Sequence, residues 1–139
     1  MAKTRSTSPR TDVSVGFAAD EHGRGIAYAR AASAAGDRLM RVPFYFDKLG
    51  MTRASGLCAV AAVARALRRW GAGRVRLRLE DAQLVEDLGA RADLPVPIVM
   101  AYVRARCAIN ALDDCTFELA PDSDLTQRAR AEAALHTAA

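Results

Sequence analysis

The chain has 139 residues, 51% hydrophobic and 26% charged, with a formal net charge of +4. That length suits one hydrophobic core rather than two, and the composition excludes an intrinsically disordered chain. No apolar run approaches the roughly 20 residues of a membrane-spanning helix and no apolar signal stretch opens the chain, so the expectation is a soluble cytoplasmic protein with no membrane partner.

Residues 1–11 carry Lys3, Arg5 and Arg10 among Ser, Thr and Pro, which predicts a flexible basic tail ahead of one domain over 12–139. Residues 13–18 alternate Val13, Val15 and Phe17 with Ser14, Gly16 and Ala18, the period of a strand, and 20–23 read as a turn. A second strand over 25–32 closes a hairpin, and a third over 39–46 carries Pro43, which suits a sheet edge. Phe44, Tyr45 and Phe46 read as strand core. Thr52 or Ser55 is the expected cap of a helix over 56–70, in which Leu57, Val60, Ala61, Ala64 and Leu67 form one stripe and Arg65, Arg68 and Arg69 crowd the last turns. Gly71 and Gly73 stop it.

Residues 74–79 alternate strictly, placing Val75, Leu77 and Leu79 on one face and Arg74, Arg76 and Arg78 on the other. Glu80 and Asp81 end this fourth strand before a short helix over 82–90 that turns Leu84, Val85 and Leu88 inward. After Pro95 and Pro97 a helix is predicted over 98–111, with Val99, Tyr102, Val103 and Arg106 marking its turns. A fifth strand follows over 115–119. Asp122, Ser123 and Asp124 are candidate caps of a final helix through Ala129, Ala133 and Leu135.

Cys58, Cys107 and Cys115 are odd in number and widely spaced, so neither a disulfide framework nor paired zinc ligands is expected, and the thiols read as buried and structural. His22 lies in a turn and His136 near the end of the chain. Gly71-Ala72-Gly73 lacks the lysine and spacing of a phosphate loop, and Ser55-Gly56 is a helix start rather than a nucleophile elbow.

The succession of three strands, helix, strand, two helices, strand and helix resembles that of ribonuclease H-like proteins. Glu80-Asp81-Ala82-Gln83-Leu84-Val85 is similar to that family's Asp-Ser-Gln-Leu-Val at the end of the fourth strand. Leu49-Gly50-Met51-Thr52 resembles the approach to its first helix, and residues 121–133 resemble its final helix. The resemblance spans about residues 13–133 and implies an α/β fold with a five-stranded mixed sheet in the order 3-2-1-4-5 and helices on both faces.

It also implies a chemistry. Two divalent cations about 4 Å apart generate the attacking hydroxide and stabilise the leaving oxygen. The resemblance takes their carboxylates from the first strand, first helix, fourth-strand end and last helix. Asp81 fills the fourth-strand place. The first-strand place falls at Ala18 or Ala19, with Asp20 one or two residues later, and the first-helix place at Gly56 or Leu57, there being no acid between Asp47 and Glu80. The last-helix place falls at Arg128 or Arg130. Two like charges at about 5 Å repel by roughly 3 kcal/mol at an effective dielectric of about 20, so an arginine there opposes cation binding.

Three functions follow. The first is a catalytically inactive ribonuclease H-like domain, without cofactor, that binds RNA, DNA, a hybrid or a protein partner; Arg74, Arg76 and Arg78 then form a basic stripe for phosphates, unless they pair with Glu80, Glu86 or Asp87. The second is a Mg²⁺- or Mn²⁺-dependent ribonuclease acting on RNA–DNA hybrids through a reorganised site of Asp20, Asp81 and Asp122 or Asp124. The third is a structural domain that forms a homodimer or larger oligomer, or docks a partner, through its open sheet face or the edge strand around Phe44, Tyr45 and Phe46. Asp81 and Asp124 also suit plain helix caps.

Overall fold

A computed structural model describes residues 10–33, 36–46, 53–89, 94–120 and 124–138. In order the elements are β1 (Thr11–Ala19), β2 (Arg24–Ser33), β3 (Gly36–Tyr45), α1 (Arg53–Trp70), β4 (Arg74–Leu79), α2 (Ala82–Gly89), α3 (Val96–Asn110), β5 (Asp114–Leu119) and α4 (Leu125–Ala138). The strands form one sheet in the order β3-β2-β1-β4-β5, as the resemblance implies. β1, β2 and β3 pair antiparallel, which tight turns permit. β4 pairs parallel with both β1 and β5, which requires the helical crossovers. Of the expected tail, residues 1–9 lie outside the described residues, Arg10 pairs with Asp114 at 2.9 Å, and Thr11 opens β1.

Strand alternation divides the sheet into two unlike faces. Val13 and Val15, Ala27, Ala29 and Ala31, Val42 and Phe44, and Val75, Leu77 and Leu79 pack with Leu57, Val60 and Leu67 of α1 and Ile98 and Ile109 of α3 into the main core. On the other face Ile26 and Tyr28 meet Leu125 and Ala129, so α4 covers only β1 and β2. No described helix packs on that face over β4 or β5. Because α4 buries so little apolar surface, polar ties help hold it. Arg41 donates to Glu132 from Nη2 at 2.7 Å and from Nε at 2.8 Å, and the Tyr28 hydroxyl donates to the same carboxylate. The Arg128 guanidinium stacks 5.2 Å from the Tyr28 ring centre.

Several local expectations are corrected. α1 begins at Arg53, so Ser55 is a buried residue of its first turn rather than its cap, and Thr52 lies outside the described residues. α3 begins at Val96 with Pro95 as its cap residue, and Pro97 is tolerated because first-turn amides have no intrahelical acceptor. Its inward residues are Ile98, Ala105, Ala108 and Ile109, while Val99 and Val103 face outward. Cys107 is exposed, and Cys58 and Cys115 are only partly buried. Phe44 is core but Tyr45, its neighbour on an edge strand, points to solvent, as does Leu135.

Candidate functional site

The carboxyl ends of β1 and β4 lie beside the first turns of α1, α2 and α4. Glu80, one residue past β4, reaches across to α4, where its Oε2 accepts the Thr126 amide at 3.1 Å and also the Thr126 hydroxyl. Thr126 is the second residue of α4, so its amide has no acceptor within the helix, and a carboxylate there also meets the positive end of the helix dipole. Gly16 of β1 makes this approach possible. A Cβ on it would lie 2.2 Å from the Thr126 amide nitrogen, 2.4 Å from the Leu125 carbonyl carbon and 2.7 Å from Glu80 Oε2.

The sequence-predicted acids have separate partners. Asp81 Oδ1 accepts the amides of Gln83 at 2.9 Å and Leu84 at 3.3 Å, capping α2. Asp20 closes the β1–β2 turn, accepting the His22 amide at 2.8 Å and the Arg24 amide at 3.0 Å. Burial pushes the pKa of Asp20 up, but those two amides and the Arg24 charge outweigh it and hold the carboxyl below its usual value. The Asp124 carboxylate faces Arg30 at 3.3 Å, and its backbone carbonyl, not its side chain, accepts within α4. Asp122 and the side chain of His136 lie outside the described residues.

The remaining places implied by the resemblance are filled by apolar or basic groups. A Cβ on Gly56 would touch the Phe17 ring at 3.1 Å and Leu84 at 3.2 Å, and Leu57 is fully buried in the core. Ala18 packs with the small cluster beneath α4. Arg130 lines a cleft of about 410 Å³ with Phe17, Glu80, Asp81, Thr126 and Gln127. A second cleft, of about 260 Å³, lies around Phe17, Arg53, Gly56, Asp81, Gln83 and Asp87. Asp87, buried within α2, accepts Arg53 Nε at 2.8 Å and Gln83 Nε2 at 3.0 Å. The Arg53 guanidinium holds its carboxyl below the usual value against the effect of burial. Among the described residues no three of His, Cys, Asp and Glu gather to hold a cation. Paired divalent cations need several oxygen ligands at one point, and the donors among the described residues do not fit them.

The three arginines of β4 share one face, as the alternation requires, and two of them pair with acids on neighbouring strands rather than with Glu80, Glu86 or Asp87. Arg76 pairs across the sheet with Asp12 at 3.8 Å, and Arg78 with Glu118 at 2.8 Å. Arg74 also has an interaction partner. On the open half of the sheet, acids of β1 and β5 thus stand beside Arg76 and Arg78 of β4.

Sequence reasoning missed the Gly16–Glu80–Thr126 junction. The signal was present: an isolated glycine inside a strand marks a close backbone approach, and Gly16 stands between Val15 and Phe17. What approaches it is set by the chain more than 100 residues later.

No family model and no curated protein matches the sequence. Solved structures do match. An RNase H1 from the halophilic archaeon Halobacterium salinarum superposes with a TM-score of 0.71 at 18% identity, covering 93% of this chain and 99% of the other. The N-terminal RNase H domain of a Mycobacterium tuberculosis protein, fused to maltose-binding protein, gives 0.70 at 16% identity, covering 95% and 100%. An RNase H1 called LC11, in complex with an RNA/DNA hybrid, gives 0.57 at 11% identity, covering 90% and 99%. With the strand order and crossovers above, these near-complete superpositions identify the chain's fold as ribonuclease H-like, a five-stranded mixed α/β sheet with helices on both faces.

Proposed function

We propose that this chain is a ribonuclease H-like domain that binds an RNA–DNA hybrid or a related nucleic acid without cleaving it. The observation that carries this reading is that the carboxylates near the ends of β1 and β4 are already engaged: Glu80 ties the start of α4 over Gly16, Asp81 caps α2 and Asp20 closes the β1–β2 turn. Arg130 beside Asp81 supports it further, since a cation in that cleft repels metal and attracts phosphate. Nucleic acid is favoured as the partner because a protein of the same fold was solved with an RNA/DNA hybrid and because this chain carries a net charge of +4. The acids beside Arg76 and Arg78 argue for the Arg130 cleft rather than Arg74, Arg76 and Arg78 as the main phosphate contact.

The test is a titration of a labelled hybrid across salt concentrations, paired with a hydrolysis assay in Mg²⁺ and Mn²⁺. Expected are binding that weakens linearly on a log–log salt plot, a further loss of about tenfold in Arg130→Glu, and an intact hybrid. Metal-dependent cleavage that Asp81→Asn abolishes would replace this reading with the active-nuclease one built on Asp20, Asp81 and Asp124.

A further inference from the structure

Helix α3 is apolar on both of its long faces. Its inner residues Ile98, Ala105 and Ile109 belong to the main core. On its outer side Val96 is 85% exposed, Met100 62% and Val103 43%, with Val99 and Cys107 beside them. Positions 96, 100, 103 and 107 follow the i, i+4, i+7, i+11 spacing of a single stripe, about three turns long. A helix apolar all round is ordinarily buried all round, and an exposed stripe of this kind marks an interaction surface.

The surroundings of the stripe specify the occupant. Neither α1 nor α3 contains an Asp or Glu, yet Arg65, Arg68 and Arg69 project from α1 and Arg104 and Arg106 from α3. Arg104, one helical turn after Met100, borders the stripe, and α3 packs against α1, which carries the exposed Arg65. Among the described residues none of these five arginines has a carboxylate partner. On α1 and α3 themselves, the charges beside this apolar stripe are all positive. Face-to-face pairing of two copies would set arginines against arginines, and a nucleic acid would gain nothing from Val96, Met100 and Val103. Met100 suits an adaptable groove for side chains of varied shape.

We infer that the outer face of α3, with the end of α1, docks an acidic amphipathic helix of another protein, whose apolar residues cover Met100 and Val103 and whose carboxylates meet Arg65 and Arg104. This docking face does not depend on the cleft at Glu80 and Arg130, so either proposal can fail alone.

The probe is a fluorescein-labelled designed helical peptide with a leucine stripe flanked by glutamates, read by anisotropy against the full chain. The control peptide replaces each glutamate with lysine. Expected are saturable binding of the acidic peptide only, about a tenfold loss in Met100→Ser or Val103→Ser, and a several-fold loss in Arg65→Gln or Arg104→Gln that disappears at high salt. These side chains face solvent, so the substitutions leave the core intact. The inference is overturned if the acidic peptide does not bind, if the lysine peptide binds equally well, or if Met100→Ser changes nothing. It is also overturned if sedimentation shows a dimer that Met100→Ser dissociates, which would make a second copy the occupant. Displacement of the peptide by an RNA–DNA hybrid would assign the face to nucleic acid.

Discussion

Substituting Gly16 with alanine tests the junction on which the site depends. The added methyl carbon would sit 2.2 Å from the Thr126 nitrogen and 2.4 Å from the Leu125 carbonyl carbon, both backbone atoms that no rotamer change can move aside. To restore van der Waals separation, α4 must withdraw from β1 by roughly 1 Å. Overpacking of this kind costs about 1–3 kcal/mol. Withdrawal also stretches the hydrogen bonds to the Glu80 carboxylate, worth about 1.5–3 kcal/mol if lost. The sum, about 2.5–6 kcal/mol, is a large share of the ~5–15 kcal/mol that stabilises a typical domain. For a chain of this length it lowers the Tm by roughly 10 °C or more. Gly89→Ala is the control, because among the described residues nothing crowds its added Cβ within 4 Å, and it should change stability by less than about 1 kcal/mol. Urea unfolding followed by circular dichroism and Trp70 fluorescence measures both variants. If Gly16→Ala unfolds at the same urea concentration as Gly89→Ala, α4 does not rest on β1 and the closure argument fails.

Two further outcomes check the roles given to the acids. Asp81→Ala should cost about 1 kcal/mol as the loss of a helix cap, and Asp81→Ser, which can still cap, should recover most of it; equal losses in both would refute the capping role. The Arg53 guanidinium lowers the pKa of Asp87 below 3.8 in the folded state, so its stabilisation is whole above that value and is lost as pH falls through the folded pKa. The stability gap between wild type and Asp87→Asn should therefore be flat near neutral pH and close in acid, and a gap that persists unchanged to about pH 2 would show that the contact is not ionic.

Much of the fold was legible because periodicity reports which side of an element is wet. The alternation of Val75, Leu77 and Leu79 with arginines placed β4 to the residue, and the stripe from Leu57 to Leu67 identified α1. The buried face of helix α3 was not legible, for a reason rooted in the same rule. Its inner and outer faces are both apolar, so periodicity could not say that Ile98 and Ile109 point inward while Val99 and Val103 point outward. Tyr45 reads as core in the sequence yet is exposed, because an edge strand carries aromatic residues on its solvent face too.

The sequence by itself determined the order of the elements and the resemblance of their topology, since local pattern is a property of contiguous chain. Only the tertiary structure decided what the acids that are present do. Glu80 meets Thr126, and Asp87 meets Arg53, across separations that no local pattern encodes. Gly16 was visible as an oddity in a strand, but the helix start that leaves it no room for a side chain arrives from the far end of the chain.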